Sequence, residues 1–326
     1  MACQTDGMST SLAPLSAFAT TCAIGIDLGG TKTEVIVLGP EGGERWRRRA
    51  PTPAGDYEAT VAAVAALVGQ ARQELGLREV TIGAGTPGSL TPQGLVKNAN
   101  STCLNGRPLQ YDLSAALGQP VAIANDANCL ALSEATDGAG AGAAVVFAVI
   151  LGTGVGGGVA VHGRVLTGPN GLAGEWGHNP LPWATEADPR WGCYCGQSGC
   201  IEMLLSGPGL ARDHHGDIGG PNAIEIATRA AAGDAAAQAT LYRHAERLAR
   251  SLAHVINLLD PDVVVLGGGL SRLDSLYDAV PRLWGRHVFA AGAAGQPVRT
   301  LLKPALHGDS SGVRGAAWLG RSALTV

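Results

Sequence analysis

The chain has 326 residues, 46% of them hydrophobic and 15% charged, with a formal net charge of −4. That length supports two domains with buried cores, and the apolar content is too high for a disordered chain. The slight acidity gives no electrostatic reason to expect nucleic acid or a membrane surface as a partner, and no apolar run reaches the ~18 residues of a membrane span.

The opening stretch MACQTDGMSTSLAPLSAFATTC has no Lys or Arg before Lys32 and so lacks the positive start of a secretory signal. Residues 1–21 are expected to be a disordered extension. Seven cysteines, an odd number, in a long chain without an export signal point to reduced thiols in a cytoplasm rather than a disulfide framework.

The first element is an apolar run, Ala23–Ile26, meeting a tight turn at Asp27-Leu28-Gly29-Gly30-Thr31. A β-branched run, Glu34–Leu38, ends at Gly39-Pro40, which makes a strand–glycine turn–strand unit. Tyr57–Leu75 is alanine-rich with apolar spacing near 3.6 and predicts a helix. Val80–Gly85 and Val121–Asn125 predict strands, and Asn128–Thr136 a helix. A second glycine hairpin, VVFAVILGTGVGGGVAVHGR, aligns on the first, with Leu151-Gly152-Thr153-Gly154 on Leu28-Gly29-Gly30-Thr31. The pair reads as an internal duplication, one unit per domain. Asn222 to Asn257 predicts long helix, PDVVVLGGGLSR a buried strand running through three glycines into a helix, and SSGVRGAAWLGRSAL a short amphipathic helix. Interleaved strands and helices give an α/β fold of two related lobes, and the cleft between such lobes is a usual ligand site.

Four groups of residues carry chemistry. Gly29-Gly30-Thr31-Lys32-Thr33 follows a strand; its glycines let backbone N–H groups approach a phosphate, and Lys32, one of only three lysines, adds a cation. Taken alone the turn is equally a plain hairpin. Gly152-Thr153-Gly154 and Gly267-Gly268-Gly269 strengthen the nucleotide reading, because three glycine turns at strand ends can hold one nucleotide. Asp126 begins a helix after a strand and is either its N-cap or a base aimed into the cleft. Glu175 and His178, with amides such as Asn100, suit a polyol, since each can hold two hydroxyls. Trp176 and Trp183 are expected to pack more than to stack on a sugar. The stretch CYCGQSGC supplies Cys193, Cys195 and Cys200, and three thiolates need a fourth ligand to close a tetrahedral structural zinc site. His178 is the histidine close before them. If one of its ring nitrogens binds zinc, the other is free to face a ligand.

The segments IGIDLGGTKTEVIVL, NDANCLALSEA, ILGTGVGGGVAVHGR, GPNGLAGEWGHNPL, CYCGQSGCIE and DPDVVVLGGGLS together resemble the ROK sugar kinases, from about Ala23 to Leu319. Within that family VKNANSTCLNGRPL, AGEWGHNPLPW and HGDSSGVRGAAWL look like the bacterial fructokinases (mannofructokinases), with N-acetylglucosamine kinases as the nearest competitor. The resemblance implies a two-lobed actin/Hsp70/hexokinase-like (ribonuclease H-like) α/β fold with an inter-domain cleft. A small lobe is expected over 22–133, completed by a helix over 310–326, and a large lobe with the zinc knuckle over 134–309. It further implies Asp126 as general base on a sugar 6-hydroxyl, with Asn100, Asn125, Glu175, His178 and Glu202 on the sugar. Asp27, Gly29, Gly30, Thr31, Lys32 and Thr33, with Gly152, Thr153 and Gly154, are expected around the phosphates of ATP and its Mg²⁺, and Gly267–Gly269 near the nucleotide. His178, Cys193, Cys195 and Cys200 are expected to bind Zn²⁺. The resemblance implies a homodimer that phosphorylates a hexose, most nearly D-fructose, with N-acetylglucosamine, glucose or mannose as alternatives. A family repressor would carry a basic N-terminal DNA-binding domain, which the residues before the first strand do not resemble. A non-catalytic sugar sensor would not need Asp126 and the phosphate set.

Overall fold

The computed structural model describes residues 21–216, 222–289 and 297–322. The extension expected to be disordered, apart from Thr21, and the last four residues of the helix expected over 310–326 lie outside them.

Strand β1 (Cys22–Leu28) turns back into antiparallel β2 (Lys32–Leu38), which pairs with β3 (Glu44–Pro51). Helix α1 (Tyr57–Leu75) has the bounds that its sequence predicts. The Asp56 side chain accepts from Ala59 N at its start, and Gly76, at φ 63°, closes its end in the left-handed conformation. Strand β4 (Val80–Thr86) then pairs parallel with β1. After a small hairpin, β5 (Ser89–Leu90) with β6 (Val96–Lys97), and helix α2 (Leu109–Leu117), strand β7 (Ala122–Asn125) pairs parallel with β4. The first sheet therefore has the order β3-β2-β1-β4-β7.

Helix α3 (Asp126–Thr136) leads to β8 (Val145–Leu151), β9 (Val155–Val161) and β10 (Arg164–Val165), an antiparallel meander. A long loop region with helices α4 (Ile201–Leu205) and α5 (Gly207–His215) follows. The helix expected from Asn222 to Asn257 is two helices, α6 (Ala223–Ala231) and α7 (Ala235–Leu259). The alanine periodicity runs across the join, but Gly233 takes φ 93° and the Asp234 side chain caps Ala236 N and Ala237 N, so the chain stops and restarts there. Strand β11 (Val263–Gly267) pairs parallel with β8. Helix α8 (Ser275–Trp284) begins only after a 3-10 turn over Gly269–Arg272, and β12 (Leu301–Pro304) pairs parallel with β11. The second sheet has the order β10-β9-β8-β11-β12, the same connectivity as the first. The duplication read from the two glycine hairpins is thus present as topology.

Each sheet has its own core. Ile24, Ile26 and Val35 meet Val64, Val68, Leu109 and Leu113 of α1 and α2 in the first, and Phe147, Val149 and Leu266 meet Leu248, Leu252 and Val280 of α7 and α8 in the second. Fully burying each such side chain stabilises by about 1.5–3 kcal/mol. Helix α9 (Ser311–Ser322) lies on the first sheet so closely that a Cβ on Gly25 would fall 2.0 Å from the Val313 carbonyl oxygen. Leu130, Ala131 and Ala135 of α3 instead cluster with Val146, Ala148, Ala160 and Val265 of the second sheet. The position 133/134, expected to divide the lobes, thus falls inside α3. Helices α3 and α9 meet at Gly315, where a Cβ would lie 1.7 Å from the Cys129 carbonyl oxygen. Among the described residues no helix is long and apolar enough to cross a membrane.

Candidate active site

The β1–β2 turn is braced from behind. Gly29 N donates to Lys32 O at 3.0 Å, the Thr52 hydroxyl donates to Gly29 O at 2.8 Å, and the Thr33 hydroxyl in turn donates to Thr52 Oγ1 at 2.8 Å. Thr33 is 1% exposed, so the structure turns this member of the expected phosphate set inward, as a brace. Thr31 and Lys32 are exposed. Asp27, at the end of β1, has its pKa pushed up to about 6 by burial first, then by the charges of Asp126 and Glu34, with Lys32 and Arg49 opposing.

At the end of β7 the capping role falls to Asn125, not Asp126. Asn125 has extended backbone, its Oδ1 accepts from Ala127 N at 2.8 Å, and its Nδ2 donates to Gly88 O at 3.0 Å. Asp126 is the first helical residue. One of its oxygens also accepts from Ala127 N at 2.8 Å, and its carboxyl takes a further hydrogen bond from its own backbone N–H. Asp126 is half-buried. Burial raises its pKa, the Ala127 N–H pulls it back, and the charge of Glu175 raises it further.

Glu175 precedes a 3-10 turn over Trp176–His178, and His178 is its last residue. Partial burial raises the Glu175 pKa; His178 lowers it, Glu202 raises it and Lys97 lowers it. His178 Nδ1 faces Cys193 Sγ at 3.6 Å, and Cys195 Sγ lies 3.7 Å from Cys200 Sγ. All four expected ligand atoms fall within 4.8 Å of one another. A tetrahedron with zinc–sulfur bonds of about 2.3 Å has edges of about 3.8 Å, so this donor set fits a structural zinc ion. The outward nitrogen, His178 Nε2, is 3.0 Å from the Tyr194 hydroxyl. Burial pushes the Tyr194 phenol up to about 12, and the carboxylates of Glu202 and Glu175 add to the rise. Trp176 packs as expected, 6% exposed, edge-on to Phe147 and donating from Nε1 to Gly156 O. Trp183 is 47% exposed against His254 and His287.

The β8–β9 turn is tighter: Gly152 N donates to Gly154 O at 3.0 Å. Glu202, 9% exposed on α4, accepts from Val155 N at 3.0 Å, and a Cβ on Gly154 would meet its Oε2 at 2.7 Å. The third glycine turn abuts the second. Gly268 takes φ 82°, and a Cβ there would lie 2.5 Å from Leu151 O, whereas Gly269 faces open space.

A cavity of about 620 Å³ brings Gly29, Gly30 and Thr31 of the first turn, Asn100 and Thr153 of the second turn into one lining. Asp126, Glu175, His178, Glu202 and Gly267–Gly269 stand outside that lining. These acids are coupled by charge: Asp27 feels Asp126, Asp126 feels Glu175, and Glu175 feels His178 and Glu202. Thr52 and Ser101 are among the cavity residues that escaped the sequence reading. Thr52 sits in a Thr-Pro loop that carries no motif, and Ser101, next to Asn100, holds a buried hydroxyl without a hydrogen-bond partner beside Gly30.

Two sheets of one topology, each offering a glycine turn, with carboxylates at the strand ends, define a two-domain fold of the actin/hexokinase-like class. The ROK family model matches residues 23–323. An N-acetyl-D-glucosamine kinase of Erwinia tasmaniensis is 42% identical over 305 residues, covering 90% of this chain and 98% of its own. The ROK hexokinase of Thermus thermophilus superposes with a TM-score of 0.82 at 32% identity, covering 93% of this chain and 99% of its own. A ROK family glucokinase of Streptomyces griseus, in complex with glucose and AMPPNP, superposes at 0.74 with 28% identity, covering 92% and 99%. The chain belongs to the ROK family. The Erwinia tasmaniensis relative is an N-acetyl-D-glucosamine kinase rather than a fructokinase, so the subgroup expected from the sequence finds no support in it.

Proposed function

We propose that this chain is an ATP-dependent hexose kinase that phosphorylates the 6-hydroxyl of N-acetyl-D-glucosamine. The observation that carries the reaction type is Asp126, a carboxylate with a raised pKa that directly follows β7 and feels the charge of Glu175. The sugar preference rests on the relative at 42% identity over 90% of the chain. D-Fructose is the second reading, favoured by the likeness of the AGEWGHNPLPW stretch to fructokinases.

In this reading the sugar is held by Asn100, Asn125, Glu175, His178 and Glu202. Asp126 orients the 6-hydroxyl for in-line attack on the γ-phosphoryl and accepts its proton, a task its raised pKa suits. Lys32 and the N–H groups of the turns at Gly29–Thr31 and Gly152–Gly154 stabilise charge on the transferring group. Asp27 lies at the first turn, where it would hold Mg²⁺, which neutralises phosphate charge when bound. Gly269 leaves room for the nucleotide. His178, Cys193, Cys195 and Cys200 would hold zinc, which fixes the loop that carries the sugar-facing imidazole.

The test is ADP release with MgATP and a panel of N-acetyl-D-glucosamine, D-fructose, D-glucose and D-mannose, compared by kcat/KM. N-Acetyl-D-glucosamine is expected to lead by tenfold or more; a fructose lead would reverse the two readings. Asp126→Asn is expected to lower kcat by about 10²–10⁴-fold while sugar binding stays measurable. Near-normal turnover would remove Asp126 from the role of base.

A further inference from the structure

The sugar-facing nitrogen of His178 already has a partner. Tyr194 Oη lies 3.0 Å from His178 Nε2, and the two rings meet edge to face, centroids 5.1 Å apart and planes at 86°. Tyr194 is the single residue between Cys193 and Cys195, so its backbone is tethered on both sides to the cysteine cluster. Its side chain is nevertheless 81% exposed. The bond to Nε2 and one edge contact hold the ring.

The tautomer follows from the surroundings. Nδ1 is turned to the cysteine cluster, and with zinc held there a neutral imidazole would carry its proton on Nε2 and donate to the phenol oxygen. The phenol accepts that bond and keeps its own O–H to donate, within the field of Glu175 and Glu202. Accepting from an imidazole is what a sugar hydroxyl would do at the same place.

We infer that Tyr194 is a positioning residue whose hydroxyl stands in for a sugar hydroxyl on His178 while the cleft is empty, and that it must swing out before the sugar binds. This rests on the sugar kinase reading above. A binding-competent state populated only in part weakens apparent affinity by that fraction, so Tyr194 sets the sugar affinity without touching the phosphoryl transfer.

The experiment uses the full-length, zinc-replete protein. Sugar affinity is measured by titration calorimetry with N-acetyl-D-glucosamine and D-fructose, alongside kcat and KM, for wild type, Tyr194→Phe and Tyr194→Ala. Loss of one solvent-exposed hydrogen bond predicts Kd and KM about threefold to tenfold lower in both variants, with kcat within twofold of wild type. Unchanged affinity in both variants overturns the inference. Weaker binding in Tyr194→Phe also overturns it, because the hydroxyl would then be a sugar ligand. If a variant loses zinc or melts early, nitrogen NMR of His178 in the wild type decides: sugar must exchange one hydrogen-bond partner of Nε2–H for another, and an unmoved resonance overturns the inference. A wild type that phosphorylates a sugar while the variants fail to tighten sinks the Tyr194 inference alone. A wild type that neither binds nor phosphorylates any sugar of the panel sinks the kinase reading and this inference with it.

Discussion

The β1–β2 and β8–β9 turns join the first two strands of sheets with the same strand order, yet they are built differently. The first presents its own cation, Lys32, on an exposed shoulder and is braced from behind by the hydroxyls of Thr33 and Thr52. The second has no charged residue. It is shaped by groups far along the chain, the Glu202 carboxylate on Val155 N and Gly207 N on Gly152 O. At the place of Asp27 before the first turn, the second sheet has Ile150. One ancestral shape thus serves as a charged turn in one lobe and a neutral, externally clamped turn in the other. Damage to the first should come from its own residues, and damage to the second from outside it.

The sharpest break of that comparison is at Lys32. Its ammonium has no hydrogen-bond or ion-pair partner among the described residues, so Lys32→Ala should leave the melting temperature within about 1 °C while lowering kcat/KM for MgATP by roughly 100-fold. Thr153→Ala, the exposed counterpart in the neutral turn, should cost about tenfold at most; equal losses would mean that the turns share the phosphate work evenly.

The clamp gives the next largest effect. Glu202→Ala leaves Val155 N buried without an acceptor, which costs about 1–3 kcal/mol, and thermal unfolding should begin several degrees earlier. Glu202→Gln keeps an acceptor oxygen and should recover most of that stability. If alanine and glutamine melt alike, the clamp does not hold the turn.

The smallest effect is electrostatic and lies at Asp27. Its folded pKa of about 6 stands above its ordinary value of 3.8, so between those values the folded state binds more protons than the unfolded chain. Stability contributed by this group therefore falls as pH rises from about 4 to 6 and stays low above. Asp27→Asn does not titrate. Melting curves across pH should show the variant gaining on wild type through that window, reaching roughly 2–6 °C by pH 7, while activity falls. A difference flat with pH would mean that Asp27 is not held at a raised pKa.

Local signals were legible in the sequence wherever neighbouring residues decide the structure. Asp56 and Gly76 bound α1, and β-branched runs around glycines mark both hairpins. The spacing of Cys193, Cys195 and Cys200 marks a cluster, which the fold completes with His178. Signals that depend on a contest between neighbours were less legible. Asn125 and Asp126 can each cap a helix, and only the backbone bend at Asn125 shows which one does. The alanine periodicity of α6 runs into α7 and hides the stop at Gly233-Asp234. Contacts across long stretches of chain left no trace at all. Nothing near Val155 announces Glu202, and Tyr194 reads as a spacer between two ligands until the fold puts its hydroxyl on His178.

The packing of α9 on β1 also bears on how the protein is made. Gly25 touches the backbone at Val313, so β1 meets its covering helix only after roughly 290 further residues have been made. At about 5–20 residues per second that interval is roughly 15–60 s. Throughout it the face of Ala23, Ile36 and Leu38 that α9 covers has nothing to bury it. The first lobe therefore stays incomplete until α9 is made, and its nascent sheet keeps an apolar face open to aggregation or to a chaperone in the meantime.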